Sequence, residues 1–462
     1  MKKRIALVGL LLAMVMLLAS CSSMMKMMPP PLTAGQLSRR VNFNLASLDG
    51  YRIDVESTYK FYMGTRRVQG TLEGVVIEDQ GKDKDDYYYY TEMINRMQYN
   101  GEEIRIRIFD AYGDGMAYTS YTEGRTRRSL CASMSVKEYK KYMEGDSLLG
   151  FSEEDCKNAE LDKTEQGYIA KFSGYSQEAL DSFANASGFG EDAWGDTLQD
   201  IVLTMEVGKD YMPIKSTLEL VFDSPSTSFI PTLSMTMTYS QFDSVERTTR
   251  SMNADSYTEI ESLQLLEDLQ ELIDDKINAK KGSFTYTMKQ KASVLSQSDS
   301  YDVTNEVTFK NGKDGFSFEN DVSTKEDGHT SHISYANGER SMDTNGKVHT
   351  SKMTDDEAHK YVAELINDPA LGYLPQYVSD IEQTEDGYLV TMAVSKNSAL
   401  GQVVASMGAG WANGEHTVKF EMVDGELVAI LSEFSARGSV QTNLGGSVTL
   451  HFDGSIQVQF EE

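Results

Sequence analysis

Three cysteines, eight prolines, two tryptophans and six histidines are all that 462 residues carry of those types. Zinc-type cysteine pairs are therefore excluded, and at most one intrachain disulfide remains once Cys21 is set aside. Positive charge is also scarce, with 43 Lys and Arg against 71 Asp and Glu and a formal charge of −28. A balance this acidic repels nucleic acid and anionic headgroups, so electrostatics as a whole gives no hold on either. There is no GxSxG, no HExxH and no glycine-rich phosphate loop. The expectation is a protein with no catalytic step and no cofactor.

The one long apolar run, Ile5 to Ala19, is shorter than the roughly 20 residues a membrane span requires and follows the cations Lys2, Lys3 and Arg4. It ends in Leu18-Ala19-Ser20-Cys21, which resembles a bacterial lipobox. Small residues before the cysteine suit the peptidase, and the Cys21 thiol would carry the diacylglyceryl group after cleavage between Ser20 and Cys21. An ordinary signal with a cysteine at its cleavage site is the other reading. Loss of residues 1–20 removes three cations and takes the charge from −28 to −31. Residues 21–32, methionine- and proline-rich, read as a tether lifting a folded body off an extracytoplasmic membrane surface, or as methionines lying on that surface.

The stretch TEQGYIAKFSGYSQEALDSFANASG (Thr164–Gly188) returns 220 residues later as TEDGYLVTMAVSKNSALGQVVASMG (Thr384–Gly408), with seven identities in 25 positions. Landmarks extend outward in order: Tyr121–Met143 matches Tyr335–Val362, Leu148–Phe151 matches Ala370–Tyr373, and each half holds one tryptophan, Trp194 and Trp411. A period of about 210 residues means duplicated domains, because solenoid repeats are only about 20–50 residues long. The expected units are residues 33–250 and 255–462, joined by a linker at 251–254.

Within each half the dominant period is two. Leu233, Met235, Met237 and Tyr239 alternate with Ser234, Thr236, Thr238 and Ser240; Ser447–Phe452 and Ser455–Phe460 alternate likewise. Asn311-Gly312, Asn337-Gly338, Asn345-Gly346 and Asp424-Gly425 signal hairpins, hence antiparallel pairing. Helical spacing appears at Thr33–Leu48, Val136–Glu144, Gln177–Ser187, Tyr257–Lys280, Asp355–Asn367 and Asn397–Met407. A few helices against long antiparallel sheets define an α+β class, with each sheet apolar on one face.

A leading amphipathic helix, one-sided antiparallel strands, a short helical insertion and the lipobox together resemble the LolA/LppX-type lipoprotein carriers. The paired copies resemble more closely the uncharacterised tandem-domain lipoproteins of Gram-positive bacteria. The resemblance implies two tandem open half-barrels whose concave faces hold a lipid or another apolar ligand. Candidate lining residues are Met235, Met237, Tyr239, Leu180 and Phe183 in the first half and Leu400, Val403 and Met407 in the second. A surface scaffold or adhesion module with closed cores is the competing expectation.

Four further features have two readings each. Cys131 and Cys156 have no counterparts in the second half, which suggests a bridge contributing about 3 kcal/mol by loop closure; two separate thiols are the alternative. All six histidines, His329, His332, His349, His359, His416 and His451, fall in the second half. They are expected on wet strand faces rather than at a metal, since no carboxylate or cysteine pattern accompanies them. The run Tyr87–Tyr90 reads as a strand with aromatics on both faces or as a ligand mouth. The excess methionine reads as core filler or as an adaptable pocket lining.

Overall fold

The computed structural model describes residues 33–461 except 64–65, 82–85, 100, 145–155, 178, 181–196, 224–231, 249–250, 296, 314, 326–327, 369–372, 374, 397 and 442–445. The chain divides into two compact units, Met1–Tyr257 and Thr258–Glu462. Each is a β-rich α+β body built on one large antiparallel sheet.

In the first unit helix α1 (Ala34–Ala46) precedes strands β1 (Gly50–Met63), β2 (Arg66–Asp79), β3 (Tyr88–Tyr99), β4 (Glu102–Gly113), β5 (Met116–Glu123) and β6 (Thr126–Ser133). Helix α2 (Val136–Glu144) leads to β7 (Cys156–Lys163), β8 (Gly167–Tyr175), β9 (Thr197–Gly208), β10 (Pro213–Asp223) and β11 (Thr232–Ser240). The strands lie side by side as β6-β5-β4-β3-β2-β1-β11-β10-β9-β8-β7. The last strand therefore returns to pair with the first, and the sheet does not close into a barrel.

The second unit opens with α3 (Leu265–Ile277), then β12 (Lys281–Val294), β13 (Gln297–Gly312), β14 (Gly315–Thr324), β15 (Thr330–Ala336), β16 (Glu339–Thr344) and β17 (Lys347–Lys352). Helix α4 (Asp355–Asn367) follows, then β18 (Val378–Thr384), β19 (Gly387–Met392), helix α5 (Ala399–Ser406), β20 (Gly410–Val423), β21 (Glu426–Gln441) and β22 (Ser447–Glu461). Its order is β17-β16-β15-β14-β13-β12-β22-β21-β20-β19-β18.

Each sheet has an inner face, on which the helices lie, and an outer face. In the first unit the inner row Val55, Gly74, Met93 and Ile108 runs through cross-strand pairs of β1 to β4. The Tyr139 ring of α2 stacks on Tyr112 at 4.6 Å, with Tyr87 and Tyr89 beside it. Tyr88 and Tyr90 point the other way into an outer cluster with Ile77, Phe109, Tyr118 and Cys131. The tyrosine run is thus buried on both faces.

What covers the outer cluster is the chain that follows β11. Val245, Met252 and Tyr257 pack on it, the Tyr257 ring meeting Tyr118 edge-on at 5.2 Å. Arg247 bridges Asp79 and Asp86 at 2.6 Å each. Tyr88 Oη donates to the Thr248 carbonyl at 2.6 Å, and Arg107 donates to Ser251 Oγ at 2.9 Å. Ser251 and Met252, within the expected linker at 251–254, belong to this strap.

Three local differences from the sequence reading have physical causes. The helix expected from Tyr257 begins only at Leu265: Tyr257 is held extended, its hydroxyl donating to the Ser251 carbonyl at 2.6 Å. The alternating segments Ser447–Phe452 and Ser455–Phe460 are one strand, β22, which runs straight through Asp453-Gly454, the Phe434 ring occupying the space that a Gly454 Cβ would need (2.7 Å). Asn311-Gly312 likewise ends β13 as strand, whereas Asn337-Gly338, Asn345-Gly346 and Asp424-Gly425 have positive φ at both residues, as type I′ hairpins require.

Cys131 and Cys156 are not joined by a disulfide. β6 and β7 are the opposite ends of the first unit's strand order, and Cys131 faces the outer cluster. Residues 21–462 with Cys21→Ser, denatured without reductant, should titrate two thiols with a chromogenic disulfide. In the second unit Leu269 of α3 is fully buried, so Leu269→Ala should cost about 2–5 kcal/mol in urea unfolding.

Candidate functional site: the open end of the second inner wall

The inner wall of the first unit is closed. Met235 and Met237 are 0% and 2% exposed, and Tyr239 and Leu180 are buried with them. Met235 and Met237 pair with Ser57 and Val55 in the seam between the first and last strands. Tyr239 Oη donates to Ser216 Oγ at 3.4 Å. This wall is also not uniformly apolar, since Ser57, Thr91, Asn95, Thr119, Glu123 and Arg128 are buried on it. These side chains fill a core rather than line a trough. Ser20, Cys21, Phe183 and Trp194 lie outside the described residues.

The second inner wall differs along its length. Where α3 and α4 cover it, Phe284, Tyr286, Phe309, Phe318, Phe420 and Val458 are buried. Toward the β12–β13 and β21–β22 turns the cover thins. Met288, Gln290, Ala292 and Val294 of β12, and Val440 and Val448, are half-buried, and Tyr301 is 46% exposed. Cross-strand pairing puts these residues on one face: Gln290 opposes Tyr301, Val294 opposes Leu450, and Val440 opposes Val448.

Three glycines shape this end. A Cβ at Gly438 would lie 2.8 Å from Val404 and Ala409, so the missing side chain lets α5 sit on the sheet. Gly414 makes the same allowance for the Trp411 ring (2.7 Å), and Gly454 for Phe434. The Ser398 hydroxyl caps α5 by accepting from the Gly401 amide. Leu400 is buried as its anchor, Val403 is half-buried, and Met407 is 38% exposed beside half-buried Trp411. Of the second half's candidate lining residues, then, Val403 and Met407 stand at the open end and Leu400 does not.

One polar pair is sealed under this wall. His416 Nε2 and Ser432 Oγ are 2.9 Å apart, and both residues are buried. Burial pushes the His416 imidazole down to about 4, because a charged ring would lose its water. This corrects the expectation of histidines on wet faces; alternation placed His416 inward with Val418 and Phe420. The others fit other surroundings. His332 pairs with Asp321 at 2.8 Å on the outer face, His359 lies against Ile277 and the Phe316 ring, His329 is half-buried, and His349 and His451 are exposed. Among the described residues no three His, Cys, Asp or Glu side chains are grouped as a metal would need.

The outer face opposite is wet. A furrow of about 620 Å³ crosses the strands there, lined among others by Lys289, Lys291, Asp302, Glu433 and Asp453. It lies on the far side of the sheet from the apolar end.

No family model and no curated protein matches the chain. Among solved structures it is similar to a provisionally assigned outer membrane lipoprotein-sorting protein domain from Vibrio parahaemolyticus, at 8% identity and a TM-score of 0.17, covering 44% of this chain and 92% of that one. It is also similar to a provisionally assigned AttH protein from Nitrosomonas europaea, at 9% identity and a TM-score of 0.12, covering 88% and 92%. At these scores neither likeness assigns a function.

The buried histidine gives a pH signature. Its folded value lies below the ordinary 6.5, so the unfolded chain binds the extra proton first, and stability falls as pH drops from about 6.5 toward about 4. The loss should approach about 3 kcal/mol by pH 4. His416→Asn should flatten that part of the profile, measured as urea unfolding at pH 7.5 and 4.5.

Proposed function

We propose that this chain is a lipid-anchored extracytoplasmic protein that binds an apolar ligand, such as an acyl chain, on the inner wall of its second unit, without catalysis. The supporting observation is the asymmetry of that wall, packed beneath α3 and α4 yet with Met288, Ala292, Val294 and Tyr301, and Val403, Met407 and Trp411, partly exposed. Apolar surface of this kind, rimmed by polar residues, is characteristic of binding sites. The two units are read as copies of one open half-barrel. Their strand orders follow the same permutation, last strand beside first, and the sequence landmarks recur in order. In this reading the first copy has become a closed supporting body, as the burial of Met235 and Met237 favours.

The anchor is the lipid on Cys21. Cys21→Ser should abolish incorporation of labelled palmitate in growing cells; undiminished labelling would remove the anchor from this reading. The ligand is tested with the mature chain, residues 21–462 with Cys21→Ser, and a fluorescent fatty acid. Gln290 is half-buried on the inner wall, so Gln290→Trp should fill the space and weaken probe binding at least about tenfold, while Met235→Leu in the closed core should leave it unchanged. A chain that binds no probe and yields no lipid in organic extracts would leave the closed scaffold as the better account.

A further inference from the structure

The charge map of the second unit holds a pattern that ligand binding alone does not need. A quarter of this chain is charged, yet Ala292–Ser298, Ser398–Gly414 and Gly438–Leu450 contain no Asp, Glu, Lys or Arg. These runs are far apart in sequence. The sheet order β13-β12-β22-β21-β20 brings them to one end: Val294 opposes Leu450, Gly438 opposes Trp411, and Gly410 opposes Ser439. Of the large hydrophobic residues exposed among those described, three are at this end: Leu295, Tyr301 and Met407. Leu295 sits on the β12–β13 turn with φ of +56° and is 83% exposed. A leucine held in a left-handed turn conformation and pointed at water pays twice for its place, once in backbone strain and once in hydration.

One to three residues outside this apolar rim the charges resume as a mixed collar. Lys291, Lys396 and Arg437 precede the three runs, and Asp299, Glu415 and, past His451, Asp453 follow them. Counting the nearest Lys, Arg, Asp or Glu at each end of the runs, three cations meet three carboxylates, so the collar is neutral in a chain whose total is −28. Apolar tips, a tryptophan and a tyrosine at the boundary, and cations one step behind are the arrangement that suits a bilayer surface, with acyl chains at the tips and phosphates at the collar.

We propose that this uncharged end of the second unit docks on a phospholipid bilayer surface, Leu295 and Met407 entering the acyl region and Lys291, Lys396 and Arg437 meeting the headgroup phosphates. The proposal deepens the ligand-binding reading by giving the open end of the inner wall a source from which an acyl chain enters. It does not stand or fall with that reading, because Leu295 is on the turn and not on the inner wall.

Trp194 and Trp411 are the chain's two tryptophans, so Trp194→Phe leaves Trp411 as a reporter at the docking end. The mature chain with Cys21→Ser and Trp194→Phe is mixed with vesicles of three parts phosphatidylcholine to one part phosphatidylglycerol, with and without bromine on the acyl chains. Docking predicts a blue shift of Trp411 emission and quenching by the brominated lipid. Leu295→Glu should weaken partition at least about tenfold with an unchanged urea unfolding curve and unchanged fatty-acid binding. Gln290→Trp should leave partition intact, read by co-sedimentation with the vesicles rather than by emission. Unquenched Trp411, or partition indifferent to Leu295→Glu, overturns the proposal; loss of probe binding alone would instead count against the ligand reading.

Discussion

Each of the two sheets depends on one seam, where the first strand of a unit meets its last. In the first unit β1 pairs with β11 from Arg52–Ser240 to Lys60–Thr232; in the second, β12 pairs with β22 from Ser283–Glu461 to Val294–Leu450. Every other neighbouring pair is joined locally by a turn or a short excursion. Without the seam each sheet would fall into two separate ladders, one built before the helical excursion and one after it. Seams of this kind close loops of nearly the whole unit, so they form late and slowly. They also fix phase, because a slip of one residue would turn Met235 and Met237 outward and Thr236 and Thr238 into the core.

That constraint explains why methionine-rich alternation at Leu233–Tyr239 belongs to architecture rather than recognition. The seam of the first unit is where packing must be tightest, and unbranched methionine conforms to whatever gap two converging strands leave. The second seam carries Phe284, Tyr286 and Phe460 at one end and Ala292, Val294, Leu450 and Phe452 at the other. At the first end the Lys276 ammonium of α3 stands over the Phe460 ring, whereas at the other Ala292 and Val294 are only half-buried.

Much of this architecture is legible in the sequence. Period-two alternation places the strands, and Thr354 with Glu357 forms the capping box that starts α4 at the position its pattern indicates. What is not legible has identifiable causes. The pair Asp453-Gly454 carries a turn signature, yet the ring of Phe434, on the neighbouring strand, decides the matter. The apolar stripe from Tyr257 to Lys280 has helical spacing throughout, but an aromatic contact and a hydroxyl bond keep its first turns extended. Val403 and Met407 are named by the repeat comparison, whereas the uncharged end is invisible in any single stretch; three neutral runs acquire meaning only when strand order assembles them. The buried His416 was signalled by the alternation of its own strand, a local cue outweighed by the polarity of the residue type.

The strap from Val245 to Tyr257 bears on how the chain divides. A cut placed by sequence repetition, after residue 250, would strip Met252 and Tyr257 from the outer face of the first sheet. Tyr118 would lose its edge-on partner, and the buried thiol of Cys131 would be left near a newly wetted surface, open to oxidation and to association between copies. An isolated first half should therefore be carried through Tyr257, so that the peptide leading into the second half stays with the domain whose flank it seals.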